Sequence, residues 1–85
     1  MGDFRKLNVW QKAKDLAVFI YKLSDKGSIA KDYGLKDQIR RAAVSIAGNI
    51  AEGDELDTNK QANKHFYYAK GSTAELLTLL LYVLR

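Results

Sequence analysis

No proline interrupts this 85-residue chain. Nothing in its covalent backbone forces a helix to stop. Its apolar residues recur every three or four positions rather than every second one, which is the period of an amphipathic helix. Every sizeable element therefore reads as helix and the fold class as all-α, a bundle whose helices pack on one another. The length allows one domain, residues 1–85, and a domain of this size buries only about 60–65% of its unfolded surface. Contact with other helices, including copies of the same chain, would enlarge so small a core.

Three helical stretches follow from the spacing. The first runs from Val9 to Ser24, with Val9, Ala13, Leu16, Ile20 and Leu23 on one stripe, widened by Trp10 and Ala17. Asn8 is placed to cap it, and Gln11 stands where its side chain reaches back in a variant of the capping box. Ser24 to Gly34 is rich in turn residues and has room for a short turn of its own. The second helix spans Leu35 to Ala51 and is expected to end at Gly53 in the left-handed conformation. Asp54-Glu55-Leu56-Asp57 then forms an acidic turn. Thr58 and Gln61 repeat the capping-box spacing at the start of the third helix, which continues to Arg85 with Gly71 as its weak point. At about 1.5 Å per residue it approaches 40 Å, the expected spine of the bundle.

The faces of the later helices carry more information. On the second, Ile39, Ala43, Ile46 and Ile50 form a core stripe, while Ala42, Val44, Ala47, Gly48 and Ala51 make the remaining surface small or apolar. Such a helix is expected to be covered on most sides, by a tight intramolecular core or by another subunit. A polar stripe, Gln38, Ser45, Asn49 and Glu52, runs along the same helix. Buried, it requires internal hydrogen bonds, which would fix helix register; Glu75 of the third helix is a candidate to face Glu52. Leucines surround the end of the third helix from Leu76 to Leu84, more than one chain of three helices can cover, so a missing fourth helix, the simpler reading, or a neighbouring subunit is expected against them.

Several functions are disfavoured. The chain has no cysteine, hence no disulfide and no thiolate site. Its one histidine, His65, follows Ala62 rather than glutamate at the third position before it, so a di-metal bundle site is absent. No nucleophile elbow or phosphate-binding glycine loop occurs. The reading is of a non-enzyme that uses no cofactor, metal or small-molecule substrate. The opening residues lack the apolar core of a signal peptide, and Leu76 to Leu84, broken by Thr78, is far short of a membrane span, so a cytoplasmic protein is expected.

The net charge of +4 is unevenly spread. Residues 1–43 hold ten Lys/Arg against five Asp/Glu, and residues 44–85 hold four against five. Lys36, Arg40 and Arg41 at the start of the second helix, with Arg5, Lys6, Lys12 and Lys14 near the first, are the candidate contacts for nucleic acid, since phosphates attract such groups without sequence-specific readout. The competing interpretation is a solvated face partly neutralised by Asp15, Asp32 and Asp37. Repetition of the patch around an oligomer would strengthen weak contacts with a polyanion.

The segment Tyr33-Gly34-Leu35-x-x-Gln38-Ile39-Arg40-Arg41-Ala42-Ala43-x-Ser45-Ile46-x-x-Asn49-Ile50-Ala51-Glu52-Gly53 resembles the signature of the four-helix bundle proteins encoded in 23S ribosomal RNA intervening sequences. Leu7-x-Val9-Trp10-Gln11-Lys12-Ala13 is similar to that family's opening, and Phe66-x-x-Ala69-x-Gly71-Ser72-x-x-Glu75-Leu76 to its third helix. The resemblance implies an antiparallel up-and-down four-helix bundle that assembles into homopentameric rings. It extends to accessory proteins of diversity-generating retroelements, which bind a reverse transcriptase and nucleic acid through basic surfaces. Two departures stand out: Ala47 occupies a position where the family usually has proline, which should leave the second helix less kinked, and the family's fourth helix is missing. The partners expected are copies of the chain itself and RNA or a nucleic-acid-handling protein. The rival expectation is a purely structural interaction module.

Overall fold

A computed structural model describes residues 3–56 and 58–84. Met1 and Gly2 at the N-terminus, Asp57 of the acidic turn and Arg85 at the end of the third helix lie outside the described residues. A single 3-10 turn, Phe4–Lys6, precedes four helices: α1 Asn8–Ser24, α2 Gly27–Lys31, α3 Tyr33–Glu55 and α4 Asn59–Leu84. The second and third helices expected from the sequence are α3 and α4, and α2 occupies the turn-rich connection.

Two of the four helix starts, those of α3 and α4, are capped by a side chain, and those of α1 and α2 are not. The Asp32 carboxylate accepts from the Leu35 amide at 3.1 Å and opens α3. The Thr58 hydroxyl accepts from the Gln61 amide at 3.2 Å and opens α4, as its spacing predicts. Asn8 does not cap α1: the helix begins at Asn8 itself, and Leu7 stands at the cap without a side-chain bond. Gln11 does reach back, but one turn further than a capping box, donating to the Arg5 carbonyl at 2.9 Å. This bond and the edge-on contact of Phe4 with Trp10 seat the first turn on α1. Between α1 and α2 the chain turns through Gly27, the one described residue with positive φ, at 62°.

Polar contacts give the relative directions. Near the end of α1, Asp25 meets Lys36 at the start of α3, while further back Val18 shares a groove with Val44. Ser45 and Asn49 of α3 meet Ser72 and His65 of α4 in descending order. Both pairs are antiparallel, giving an up-and-down bundle with α3 in the middle. At 26 residues α4 is the longest helix and nearly spans the 43 Å long axis, but α3 is the spine, since both α1 and α4 pack mainly on it.

The apolar stripe of α3 is the core: Ile39, Ala43, Ile46 and Ile50 are all buried, with Ala13 and Ile20 from α1 and Ala69, Leu76 and Leu79 from α4 against them. Coverage elsewhere is thinner than the sequence suggested. Val44 and Gly48 leave one flank of α3 open, and Val9 and Leu16 of the α1 stripe remain exposed. The leucines of α4 divide: Leu76 and Leu79 are buried, whereas Leu77, Leu81 and Leu84 are 58%, 60% and 75% exposed.

Gly53 does not end the second helix. It is buried inside α3, which continues to Glu55, and the Phe66 ring of α4 lies where a Cβ at Gly53 would stand. The glycine is required by close approach, not by backbone conformation. In Gly53→Ala the ring must swing outward, and the burial forfeited by a half-exposed phenylalanine exceeds the gain of about 1 kcal/mol in helix propensity. Thermal unfolding should show Gly53→Ala destabilised by about 0.5 kcal/mol, whereas the same change in a Phe66→Ala background should stabilise the chain by about 1 kcal/mol.

Candidate functional site

Two groups of polar side chains join the helices, one at each flank of α3. The first joins α3 to α1. Ser24, fully buried at the end of α1, donates from its hydroxyl to the Tyr21 carbonyl at 3.1 Å and accepts from Arg40 Nε at 2.8 Å. Arg40 Nη2 also donates to the Tyr21 carbonyl at 3.1 Å and to Asp25 at 2.8 Å, and its guanidinium lies 4.4 Å from the centroid of the Tyr21 ring. Lys36 Nζ reaches the same Asp25 oxygen at 2.9 Å. A planar fork with several donors suits this site as lysine would not.

The seven basic candidates therefore separate. Arg40 and Lys36 have side chains only 21% and 22% exposed and are committed to α1. Arg41, one residue on, points outward with 70% exposure, held only by the solvent-facing pair with Asp37 one turn before it. Arg5 pairs with Asp3 in the opening turn, again in solvent. Lys6 is exposed and has no carboxylate within ion-pair distance among the described residues. Lys12 and Lys14 are exposed on α1, Lys14 beside Asp15. Two of these groups, Arg40 and Lys36, thus lie inside a helix junction.

The second group joins α3 to α4. The Asn49 amide donates from Nδ2 to the Ser45 carbonyl at 2.9 Å and hydroxyl at 3.0 Å, which turns Oδ1 towards His65 Nδ1, 3.0 Å away. Glu52 Oε2 lies 3.2 Å from the same nitrogen. Both neighbours are acceptors, so the hydrogen-bond network assigns the proton to Nδ1. Ser45 also pairs with Ser72 at 2.8 Å. Ser45, Asn49 and Glu52 of the polar stripe thus come together, with Ser72 and His65 as partners that spacing along α3 alone does not reveal. Gln38 and Glu75 are exposed and take no part. Glu52 faces His65 and not Glu75.

The hydroxyls and amide of this second group are paired with one another across α3 and α4. Its arrangement secures register between two helices. Among the described residues no group of three or more His, Asp or Glu is placed to hold a metal, and no helix is long and apolar enough to cross a membrane.

Truncating the two adjacent arginines separates their roles. Arg40→Ala takes from the buried Ser24 hydroxyl the donor it accepts from and removes several charge-assisted bonds, at a cost of about 2 kcal/mol. This corresponds to a Tm lowered by roughly 10 °C in a domain of this size. Arg41→Ala should leave Tm within about 2 °C.

The junction also makes stability depend on pH. The hydrogen bond from Lys36, followed by the charges of Lys36 and Arg40, holds the Asp25 carboxyl below its ordinary value of 3.8. A depressed carboxyl stabilises the folded chain above its unfolded-state value, and that contribution disappears as pH falls through the lower folded-state value. Acid unfolding of Asp25→Asn should therefore be shallower than that of the parent across this acidic window, which circular dichroism at stepped pH would measure.

No individual curated protein matches the chain. A family model described as 23S rRNA-intervening sequence protein matches residues 5–85, from the opening turn through all four helices. The antiparallel helical bundle agrees with that assignment, and the chain belongs to the 23S rRNA-intervening sequence protein family.

Proposed function

We propose that this chain is a non-enzymatic assembly subunit that associates with copies of itself through the exposed flank of α4. The observation that carries this reading is the row Leu77, Leu81 and Leu84. Their spacing puts them on one side of the helix, and more than half of each is left to solvent. From Gly71 to Leu84 the only charged residue is Glu75, so little opposes burial of this flank. Covering three such leucines contributes several kcal/mol, about 1.5–3 for each side chain fully buried. A closed ring of copies, the homopentamer suggested by family resemblance, is one form the association takes. The chain works without cofactor, metal or small-molecule substrate, and its cysteine-free composition fits the cytoplasm.

A second reading, contact with RNA or a nucleic-acid-handling partner, is favoured by the exposed cations Lys6, Lys12 and Arg41. Arg40 and Lys36 leave this set because α1 occupies them. Around an oligomer the remaining charges recur and add their weak contacts.

Light scattering after size exclusion tests the first reading. The chain should elute as one discrete oligomer at low and high salt, and Leu77→Glu with Leu81→Glu should elute as a helical monomer. A parent chain that is itself monomeric at tens of micromolar would refute self-association. RNA binding should weaken with salt, and Arg41→Ala with Lys6→Ala should lower the salt slope by about 1 for each phosphate that is no longer engaged.

A further inference from the structure

We propose that the groove between α1 and α3 is a docking site for an amphipathic helix with acidic flanks, supplied by a different protein. The groove lies apart from the α4 leucines and has a volume of about 470 Å³. Ala17 and Val18 of α1 and Val44 and Ala47 of α3 line it, with Tyr21 at one wall. Val18 and Val44 are each 48% exposed, so the apolar lining is open to a partner. Small side chains at Ala17 and Ala47 leave room for another helix to come near.

Two features select the occupant. Lys14 and Lys22 complete the lining, eight residues apart on α1 and hence about 12 Å apart along it. Lys22 has no carboxylate within ion-pair distance among the described residues, and Lys14 has only its exposed neighbour Asp15 at 3.3 Å. A helix lying along the groove meets both ammonium groups if it carries carboxylates two turns apart beside a small apolar stripe. The wall is also set in advance: Arg40 stacks on Tyr21 and is itself fixed by Ser24 and Asp25, so the partner does not have to order it on binding.

A second copy of the chain fits less well. A two-fold contact of the groove with itself sets Lys14 against Lys22 of the copy, and like charges facing one another oppose association. The α4 flank of a copy offers Glu75 alone and leaves one lysine unmatched.

The test uses two fluorescein-labelled helical peptides of about 18 residues, long enough to span the groove. Both carry the same alanine and leucine stripe, flanked by glutamates in one and lysines in the other. Fluorescence anisotropy with the full chain should show the glutamate peptide binding about tenfold tighter, with affinity falling as salt rises. Lys14→Glu with Lys22→Glu should reverse the preference, and Val44→Glu should abolish binding of both while the helical signal is retained. Equal binding of the two peptides, or none by the glutamate peptide, would overturn the proposal. So would loss of the oligomer in the Lys14→Glu, Lys22→Glu variant, which would assign the groove to a copy of the chain. Loss of the oligomer only on substitution of Leu77 and Leu81 keeps the two surfaces distinct.

Discussion

Ile39, Ala43, Ile46 and Ile50 form one apolar flank on α3, and both long neighbours of that helix are held by burying it. From one side come Ala13 and Ile20 of α1, from the other Ala69, Leu76 and Leu79 of α4. Because α1 and α4 meet α3 far more than each other, neither long helix would keep its place if α3 were lost. The short helix α2 depends on the same packing through buried Ile29. A core of this kind is strong in total but weakly directional, since burial of apolar area does not distinguish one turn of a helix from the next.

Direction and register come from the two polar junctions. Arg40, inserted among Ser24, Tyr21 and Asp25, is satisfied at one alignment of α1 on α3; a one-turn slip would part the guanidinium from the buried Ser24 hydroxyl, which would keep only its bond within α1. The chain Glu52, His65, Asn49, Ser45 and Ser72 does the same for α4 on α3. Gly53 adds a steric constraint to this second junction, because Phe66 fits only opposite a residue with no side chain. Polar and steric contacts thus settle what the apolar core leaves open, at little net gain in stability but with a high penalty for misalignment.

The sequence discloses the parts of this structure that are local and periodic. The apolar stripe of α3, the cap at Thr58, the turn-rich connection and the surplus of leucine on α4 are all visible as spacings within one element. What it conceals depends on pairing between elements. Gly53 has the composition of a helix end and the role of a contact point, and only the arrival of Phe66 thirteen residues later distinguishes the two. Arg40 and Arg41 are adjacent and chemically identical, yet the rotation of about 100° between consecutive helical residues sends the first into α1 and the second into solvent. Ser72 and His65 complete a network whose α3 half was legible as a polar stripe, but no spacing along α3 names its partners. Membership of the stripe was itself too broad, since periodicity cannot tell that Gln38 and Glu75 lie beyond the contact.

The exposed apolar surface left by three long helices is not uniform, and that difference bears on what covers it. From Gly71 to Leu84 the flank of α4 is uncharged apart from Glu75. The α1 and α3 groove has a similar apolar lining but is bounded by cations, and its wall is braced by the same arginine that holds the helices together. One surface can therefore be satisfied by repetition of the chain, while the other is matched by opposite charge. If α1 were to shift on α3, the brace at Tyr21 and the spacing of the lysines across the groove would shift together. Register at the Arg40 junction thus sets the shape of the outer groove as well as the alignment of the core, so one polar contact fixes both the inner and the outer surface of the α1 and α3 pair.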